Sequence, residues 1–590
     1  MSRKLDEISE SNSKKLKINE SEDEDFEQSD ADEPPLVPSE SRFGIRERTN
    51  KQNQLFKAIL KQSHCDFIVN EVDLEGNVVR LTNFDIPIVE DLPKQSVEQL
   101  ETTKKDVKRI LGEELVEKLE KFLSSNSTTE SMVFDAPREK CDRKLVHEFI
   151  KQNTDQYVTN TIQKDKENQL IEISHIKNNK GPSRNSFKAN SRSKDLGDKN
   201  FTICSMYKEN IDTIQAVNLI CKHLRLNVKR VGYSGTKDKK AKTTQSLSFF
   251  KISPKEIDRL NKNFHNIKLG NFRITNDGLK LGDLSGNRFK IVLREVSEKN
   301  DAIIVQSLES LKANGFINYF GLQRFGNSIE VPTHIIGKQE VVDLILKPRM
   351  QNFEKDEIKK AREVWSSTND ANRALFHIQN INCIEKFLLN GLSKSSSNDY
   401  LGAFQHIPRN MRLMYLHAYQ SFIWNEATSK RVELFGLKPA IGDLVRSESN
   451  QVIHLTENNL ECYSIEDVIL PLPGHNILYP QNEIKDFYVE VLKSDGLTLE
   501  SFKNKIKDFS LSGDYRNILV KPKNMEYEIV NYSEKNANLV KSDWDLIDPS
   551  RQEDLHATSD CTERMKAICL EYSLPTSSYA TMALREILTD

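Results

Sequence analysis

One short segment of the chain combines the residue types that nucleophilic or acid–base chemistry needs. Residues 232–245 read Gly-Tyr-Ser-Gly-Thr-Lys-Asp-Lys-Lys-Ala-Lys-Thr-Thr-Gln, so Asp238 stands among four lysines. Nearby positive charge favours the ionised carboxylate, and the same lysines attract a phosphate backbone. An anionic aspartate beside an RNA groove can serve as nucleophile or base when a glycosidic bond is cleaved or rearranged. The alternative is a lysine-rich surface turn with a capping aspartate, and composition alone favours that alternative.

Two other common kinds of site lack their motifs. The spacing Gly-x4-Gly-Lys-Ser/Thr is absent from residues 232–245, which excludes a P-loop there. The chain has eight cysteines, and no two of them form a Cys-x-x-Cys pair. A zinc ribbon or zinc finger therefore has no support. Scattered cysteines in a chain of this size indicate a reducing compartment with free thiols.

Length and hydropathy limit the class of protein. A chain of 590 residues predicts two to four domains. No uninterrupted apolar run approaches the ~18 residues of a membrane helix, and the polar N-terminus is unlike a secretory signal. We therefore expect a protein that does not associate with membranes.

The charge is divided unevenly along the chain. Residues 1–40 carry thirteen acidic and five basic side chains, so the other 550 residues carry a net charge of +5. Residues 1–42 have too little apolar surface to fold, which predicts a disordered acidic tail. Two basic clusters, Arg3-Lys4 and Lys14-Lys15-Leu16-Lys17, resemble a bipartite nuclear localisation signal. A solvated charge run explains the clusters equally well.

Behind the tail, the pattern predicts a body of mixed secondary structure with one large insertion. Residues 88–200 are that insertion: helical spacing over 97–123 precedes a basic loop at 178–199 that is suited to phosphate contacts or to simple solvation. Strand-like alternation follows at 201–207, 246–252, 289–293 and 567–574, with helices predicted over 213–226 and 409–433. Ser577 or Ser578 is expected to cap a final helix. The order of elements favours an α+β or α/β fold.

Six motifs, including residues 232–245, follow one another in the order known from a single family. Lys61, Phe67 and Glu71 form Lys-x5-Phe-x-Val-x-Glu, and residues 207–210 read Tyr-Lys-Glu-Asn before Asp-Thr. Residues 286–289 read Gly-Asn-Arg-Phe, and residues 318–326 read Asn-Tyr-Phe-Gly-Leu-Gln-Arg-Phe-Gly. Residues 574–581 read Leu-Pro-Thr-Ser-Ser-Tyr-Ala-Thr before Arg585-Glu586. Together they resemble the TruD family of pseudouridine synthases, and the insertion lengths resemble its multisubstrate eukaryotic branch.

The resemblance implies that uridine in RNA is isomerised to pseudouridine without a cofactor or a metal. Asp238 matches the catalytic carboxylate, and base flipping is expected because the target must leave its helix or loop. The positions that match substrate-binding or substrate-bordering positions of the family are Lys61, Phe67, Lys237, Asn287, Phe289, Tyr579 and Arg585. Phe289 would stack on the uracil, and Asn287 would bond near Asp238 or the base. The bacterial relatives usually carry Phe where this chain has Tyr579.

Several of these residues have a structural alternative. Phe67 and Phe289 lie in predicted strands, where a core aromatic residue is common. Asn287 after a glycine suits a turn, and Arg585 suits the C-terminal end of a helix.

The resemblance also predicts the domain organisation and the partners. A catalytic domain with a mixed, mainly antiparallel sheet would comprise 43–320 and 512–590, and an α/β TRUD domain would occupy 321–511. The expected substrates are tRNA, including position 13, small nuclear RNA and messenger RNA, and the expected state is a nuclear monomer that also occurs in the cytoplasm. The alternatives are an RNA-binding or tRNA-chaperone protein without catalysis, and a scaffold that binds partners through its charged tail.

Overall fold

The computed structural model describes fourteen stretches of the chain. They comprise residues 39–87, 97–124, 131–137, 139–154, 157–163, 169–175, 196, 199–326, 332–336, 345–348, 354–394, 399–535, 537–551 and 565–589. The chain forms two compact units: the first comprises Met1–Phe43 and Leu322–Gln420, and the second comprises Gly44–Gly321 and Ser421–Asp590. The second unit thus includes residues 421–511, which the sequence grouped with 321–420. The predicted limits of the two functional domains stay a prediction.

The described strands are short to medium in length and lie mostly in the second unit. They are β1 Ile59–Leu60, β2 Phe67–Val72, β3 Ser131–Asp135, β4 Tyr157–Gln163, β5 Gln169–His175, β6 Phe201–Glu209, β7 Val231–Tyr233, β8 Lys242–Phe250, β9 Ile267–Thr275, β10 Gly286–Arg294, β11 Phe316–Ile317, β12 Leu444–Arg446, β13 Val452–His454, β14 Val468–Leu472, β15 Asp514–Asn517, β16 Leu519–Val520, β17 Lys523–Tyr532 and β18 Met565–Pro575.

The described α-helices alternate with these strands in the second unit and dominate the first. They are α1 Val97–Leu111, α2 Glu113–Ser124, α3 Lys140–Asn153, α4 Thr213–Leu224, α5 Pro254–Asp258, α6 Asp301–Asn314, α7 Thr333–Ile336, α8 Asp356–Thr368, α9 Ala371–Phe376, α10 Ile384–Lys394, α11 Tyr400–Gln405, α12 Arg409–Phe435, α13 Glu483–Ser494, α14 Asp543–Ile547 and α15 Ala580–Arg585.

A nine-stranded sheet is the frame of the second unit. Its main order is β17-β18-β10-β2-β8-β6-β9, with β1 beside β10 and β7 beside β8. β2 and β8 run parallel, and the other pairs of this sheet run antiparallel. The prediction of a mixed, mainly antiparallel sheet is therefore confirmed.

The strand register divides the side chains between two faces of this sheet. Val69 on β2 pairs with Thr243 on β8 and with Phe289 on β10, and Thr243 pairs with Lys208 on β6. Because paired residues point to one side and alternate residues share a face, one set of side chains lies together. This set, which we call the front face, comprises Phe67, Val69, Glu71, Lys208, Thr243, Gln245, Asn287 and Phe289.

Helix α4 covers one part of the front face and leaves another part open. Its apolar residues pack in one core with Met206, Leu247 and Phe249, which are almost fully buried. The helix begins at Thr213, and Asp212 caps it by accepting a hydrogen bond from Gln215 N. The charged and polar front-face residues of β2, β6 and β8 lie at the end of the sheet where α4 begins.

The opposite face of the sheet is closed by buried carboxylates of α14. Asp543 accepts hydrogen bonds from Asn70 Nδ2 at 2.8 Å and Thr244 Oγ1 at 2.7 Å, one from each parallel strand. Asp545 forms an ion pair of 2.7 Å with Lys242. Since a buried ion must be paired to be tolerated, these contacts fix β2 and β8 against each other.

Part of the predicted insertion forms a small body with its own core. Strands β3, β5 and β4 make a three-stranded antiparallel sheet, and buried residues of α1, α2 and α3 pack into one cluster with it. The helical spacing predicted over 97–123 is confirmed, and Gly112, with a φ of 83°, divides this stretch into α1 and α2. The predicted basic loop at 178–199 lies outside the described residues, apart from residues 196 and 199.

The described part of the first unit is helical. Arg362, almost fully buried, pairs with Glu354 at 2.7 Å and with Glu385. Phe43 stacks on Phe325 at 4.9 Å between ring centroids. Residues 1–38 of the predicted disordered tail lie outside the described residues. Glu40–Phe43 form a 3-10 turn, so the predicted tail is wrong at its last three residues.

Neither Ser577 nor Ser578 caps the last helix, since Tyr579 stands at its N-cap position without a side-chain cap. No described helix is long and apolar enough to cross a membrane. The described residues also contain no group of three or more His, Cys, Asp or Glu side chains that could hold a metal ion.

Candidate active site

Asp238 lies in the connection between two paired strands. β7 and β8 are antiparallel, with Gly232 opposite Ser248 and Tyr233 opposite Leu247, and residues 234–241 join them. This connection is held from two sides. Gln245 Nε2 donates a hydrogen bond of 2.8 Å to the Gly235 carbonyl, and Lys237 N donates one of 2.9 Å to Thr213 Oγ1. The loop is thereby attached to β8 and to the start of α4.

A buried lysine supports the backbone of Asp238 from the front face. Lys208 Nζ donates hydrogen bonds to the carbonyl oxygens of Asp238 at 2.9 Å, Ile211 at 2.7 Å and Lys237 at 3.4 Å. Its side chain has no solvent exposure. Burial lowers the pKa of Lys208 to about 8, although the carboxylates of Asp238 and Asp212 act in the opposite direction. Three donors of one ammonium group thus fix the position of the loop.

The lysines around Asp238 divide into a buried pair and an exposed pair. Lys237 Nζ lies 2.8 Å from Glu71 Oε2, and both side chains are almost fully buried. Lys242 is likewise buried against Asp545, whereas Lys239 and Lys240 are exposed. Lys237 therefore positions the loop, and its predicted contact with substrate stays a prediction that the geometry does not favour. Only Lys239 and Lys240 of this segment present their charge to solvent.

Lys61 meets the Asp238 carboxylate, although 177 residues separate the two in sequence. The distance from Lys61 Nζ to Asp238 Oδ2 is 2.6 Å, and the same nitrogen lies 3.9 Å from the centre of the Phe67 ring. Lys61 adopts a left-handed backbone conformation with a φ of 55°, which costs about 1–2 kcal/mol for a residue with a Cβ. The Asp238 side chain is 38% exposed. The pair is therefore open to a substrate.

Aromatic rings form the floor beside this pair. The Phe289 ring lies 5.9 Å from the Phe67 ring and 5.9 Å from the Tyr572 ring, measured between centroids. Phe289 is 7% exposed, so it packs mainly in the core. Its predicted stacking on uracil stays a prediction.

Asn287 carries an acceptor that the protein does not satisfy. It lies on β10 between Glu71 of β2 and Leu574 of β18. Its Oδ1 atom is buried and has no hydrogen-bond partner among the described residues. The predicted hydrogen bond from Asn287 to Asp238 or to the base stays a prediction.

The two remaining predicted residues lie in separate clusters. The Tyr579 ring is 6.3 Å from Phe320 and 5.9 Å from the guanidinium group of Arg516. Arg585 Nη1 donates a hydrogen bond of 2.6 Å to the Glu47 carbonyl oxygen, and its guanidinium lies over the Tyr319 ring. These contacts give both residues a packing role. Their predicted contacts with substrate stay predictions.

The prediction missed the residues that support the loop. Lys208 and Glu71 both belong to motifs of the sequence, but neither was assigned a role in supporting the loop. The signal was their place in strands: Lys208 directly follows the alternating stretch 201–207 of β6, and Glu71 lies four residues after Phe67 on β2. Thr213 gave a weaker signal, because it begins α4 beside the loop, whereas Gln245 lies within β8.

Known proteins match this chain over most of its length. The model of a family described as "tRNA pseudouridine synthase D (TruD)" matches residues 184–587. The human "Pseudouridylate synthase 7 homolog" is 37% identical over 545 residues, which cover 91% of this chain and 79% of the human protein. The fission yeast "Multisubstrate pseudouridine synthase 7" is 32% identical over 658 aligned residues, which cover 98% of this chain and 94% of the yeast protein.

A solved structure shows a similar fold. The crystal structure of a putative tRNA pseudouridine synthase D from Methanosarcina mazei aligns with 94% of this chain and 98% of that chain, at a TM-score of 0.54 and 20% identity. At this identity the likeness concerns the fold alone.

Proposed function

We propose that this chain, which belongs to the TruD family of pseudouridine synthases, acts on three kinds of RNA. These substrates are tRNA, including position 13, small nuclear RNA and messenger RNA. The chain is an RNA isomerase of that family. Asp238 is its catalytic carboxylate in this proposal, and the protein acts as a monomer on a base that has been flipped out of its helix or loop.

One observation supports Asp238 as the catalytic carboxylate. Its carboxylate is partly exposed and paired with Lys61, while its backbone is held by the buried Lys208. An ionised carboxylate at a fixed position is what nucleophilic or base catalysis needs. A surface turn seldom holds an exposed side chain at a fixed position, because an exposed loop ordinarily lacks buried support.

The reaction rearranges bonds within one nucleotide. The bond from C1′ of the ribose to N1 of uracil breaks, the base turns, a bond from C1′ to C5 forms, and the proton on C5 moves to N1, so atoms and electrons balance without a co-reactant. Asp238 has two suitable roles: it attacks C1′ as a nucleophile, or it removes a proton from the ribose. Both roles require the same ionised carboxylate.

The neighbouring side chains suit an extruded uracil. The unpartnered Oδ1 of Asn287 can accept the hydrogen bond that the N3–H group of uracil donates. The rings of Phe67 and Phe289 form an apolar surface on the same face of the sheet. Lys239 and Lys240, which are exposed, suit the phosphates on either side of the flipped nucleotide.

The first prediction is that Asp238→Asn abolishes pseudouridine formation and leaves RNA affinity within a few-fold of the original. The amide keeps the size and polarity of the carboxylate but cannot act as a nucleophile or base at neutral pH. Turnover is measured as tritium released from tRNA labelled at C5 of uridine, and affinity is measured by filter binding. Asp85→Asn, at an exposed position of the same unit, is the matched control.

The outcomes separate activity from binding. Pseudouridine mapping on total RNA incubated with each variant lists the substrates of the original enzyme. Retained turnover in Asp238→Asn would remove Asp238 from its proposed role. Modified sites confined to tRNA would contradict the proposed action on small nuclear and messenger RNA.

A further inference from the structure

A cavity of about 670 Å³ lies beside the pairing of β7 and β8, on residues that the proposed mechanism does not use. The loop at residues 277–283 closes it against these strands. Gly232 and Gly278 allow this close approach: a Cβ on Gly232 would come within 2.4 Å of the Leu279 carbonyl oxygen, and one on Gly278 within 2.5 Å of the Phe201 ring. These close approaches hold the loop at 277–283 against the strands and leave a cavity that is open to solvent on one side.

Aromatic surface is exposed at this cavity. The rings of Phe201 and Phe250 lie 5.2 Å apart, and Phe250 is 37% exposed. Two hydrogen bonds from Arg230 to the Phe250 carbonyl oxygen, the shorter of 2.6 Å, fix the end of β8 that carries this ring. Lys251 Nζ lies 5.3 Å from the centre of the Phe250 ring. An exposed and immobilised ring beside a cation is a suitable platform for a nucleobase.

The polar groups of the cavity match a nucleotide. Lys229 and Lys280 are exposed and form no ion pair with any described residue. The Asp277 carboxylate likewise bonds to no described residue, whereas Asp283 accepts a hydrogen bond of 2.7 Å from Lys280 N. Two free cations suit a phosphate, and one free carboxylate suits a hydroxyl or amine donor. A cavity of this size lies within the range of small-molecule sites.

We propose that this cavity binds one unstacked nucleotide of the RNA substrate, outside the nucleotide that is isomerised. Phe250 stacks on its base, Lys229 and Lys280 contact its phosphates, and Asp277 accepts a hydrogen bond from its ribose or base. The proposal rests on the proposed function, because the ligand is part of the same RNA strand.

The cavity is connected to the catalytic loop by short pieces of chain. Gly232, in the cavity wall, precedes Asp238 by six residues, which span at most about 22 Å. Gly282 N, from the opposite wall, donates a hydrogen bond of 2.9 Å to the Ser234 carbonyl oxygen, and the same wall leads into Gly286 and Asn287. The strand register places Ser248 and Phe250 on the face opposite the front face, so an RNA strand that reaches both the cavity and Asp238 must pass the edge of the sheet at β7. A nucleotide bound in the cavity would hold that strand in place before isomerisation.

The test compares two double variants of the full-length enzyme on a tRNA transcript. Lys229→Ala with Lys280→Ala removes both free cations, and Lys255→Ala with Lys262→Ala removes two exposed lysines of the same unit that do not line the cavity. We expect KM to rise for the first pair with kcat unchanged. The slope of log affinity against log salt should fall by about 1.4, because two contacts to single-stranded phosphates are lost. The control pair should change neither quantity.

The ring is tested separately by photo-crosslinking. The RNA carries 5-iodouridine at single positions on either side of the target and is bound to Asp238→Asn, which holds it without turnover. The proposal expects one flanking position to crosslink to the peptide that contains Phe250, and Phe250→Leu to lose that crosslink while the thermal unfolding temperature stays near that of the original. Equal KM and salt slopes in both lysine pairs, or crosslinks confined to other peptides, would overturn it.

The two proposals fail in distinguishable ways. If the original enzyme produces no pseudouridine in any RNA, the proposed substrates are wrong, and crosslinking still reports whether RNA occupies the cavity. If the enzyme is active and the first lysine pair behaves as its control does, the cavity proposal alone is wrong.

Discussion

The contact between Lys61 and Asp238 joins two sequence motifs that lie far apart in the chain. The pair is short, at 2.6 Å, and Lys61 reaches it from a left-handed backbone conformation. Strain at a residue with a Cβ persists only when the surroundings impose it. We therefore expect Lys61 to hold the Asp238 carboxylate in one direction.

Lys61→Met is expected to lower kcat by at least about tenfold, which corresponds to ~1.4 kcal/mol in the barrier. Methionine keeps an unbranched apolar side chain of similar length but removes the charge that orients Asp238. Tritium release measures kcat, and filter binding shows whether RNA affinity is retained. Lys57→Met is the control, because Lys57 is exposed four residues earlier. Unchanged turnover in Lys61→Met would show that the ion pair is not needed for catalysis.

For Phe289, an experiment must distinguish a role in core packing from contact with the substrate. It is 7% exposed and lies between two aromatic rings. Phe289→Ala would confuse the two roles, since truncation of a buried Phe costs ~3–5 kcal/mol of stability. Phe289→Leu keeps most of the volume and should cost below about 1.5 kcal/mol.

We expect Phe289→Leu to lose turnover well beyond its effect on stability if the ring stacks on uracil. Stability is measured by urea unfolding, and turnover is measured at a temperature where the variant is fully folded. Phe272→Leu is the matched control, because Phe272 is a similarly buried ring in the core under α4. Equal behaviour of the two variants would assign Phe289 to the core alone.

At the scale of secondary-structure elements, β6 contributes the buried cation that supports the catalytic loop. Lys208 supplies three N–H donors to three carbonyl oxygens, and burial lowers its pKa to about 8. In the unfolded chain a lysine has its ordinary pKa of about 10.4. Between these two values the unfolded chain binds more protons, so this group makes the free energy of unfolding rise with pH.

Activity is expected to respond to pH in the opposite direction. Above pH 8, neutral Lys208 has two N–H donors for three carbonyl oxygens, so the loop that carries Asp238 is held less firmly. We expect kcat of the original enzyme to fall through pH 8–9.5 while stability does not fall. Lys208→Met should have a lower kcat without this alkaline limb. An identical alkaline limb in Lys208→Met would exclude Lys208 as its source.

Local patterns predicted the elements better than the contacts between them. Alternation located β6 and β8, and the periodicity of α4 was correct except at its end, where Arg225 adopts a φ of 53°. Sequence could not show that Lys208 and Glu71 are buried, because their neutralising partners come from other elements. Only the family motifs, taken in their order, could have predicted that Lys61 lies near Asp238. The cavity at Phe250 has no sequence signal, since a distant loop forms one of its walls.

At the scale of the whole molecule, the acidic tail and the catalytic residues occupy different parts of the sequence. The proposed site and the cavity both lie in the second unit, on residues between 61 and 289. Residues 1–38 contain most of the acidic excess and both basic clusters. Phe43, which packs on Phe325, lies after this segment. A deletion that ends at residue 38 therefore leaves the described contacts intact.

Deleting residues 1–38 is expected to leave kcat and KM on a tRNA transcript within about twofold, and to reduce nuclear accumulation of a fluorescent fusion in cells. The expected cause is loss of the two basic clusters, since signals of this kind are Lys- and Arg-rich. Replacing Lys14, Lys15 and Lys17 by Ala in the full chain tests that cause, because it keeps the acidic stretch. Equal nuclear accumulation of this triple variant and the original would contradict a localisation signal. A deletion that folds, as judged by its thermal unfolding, but loses activity would instead make the tail part of the enzyme.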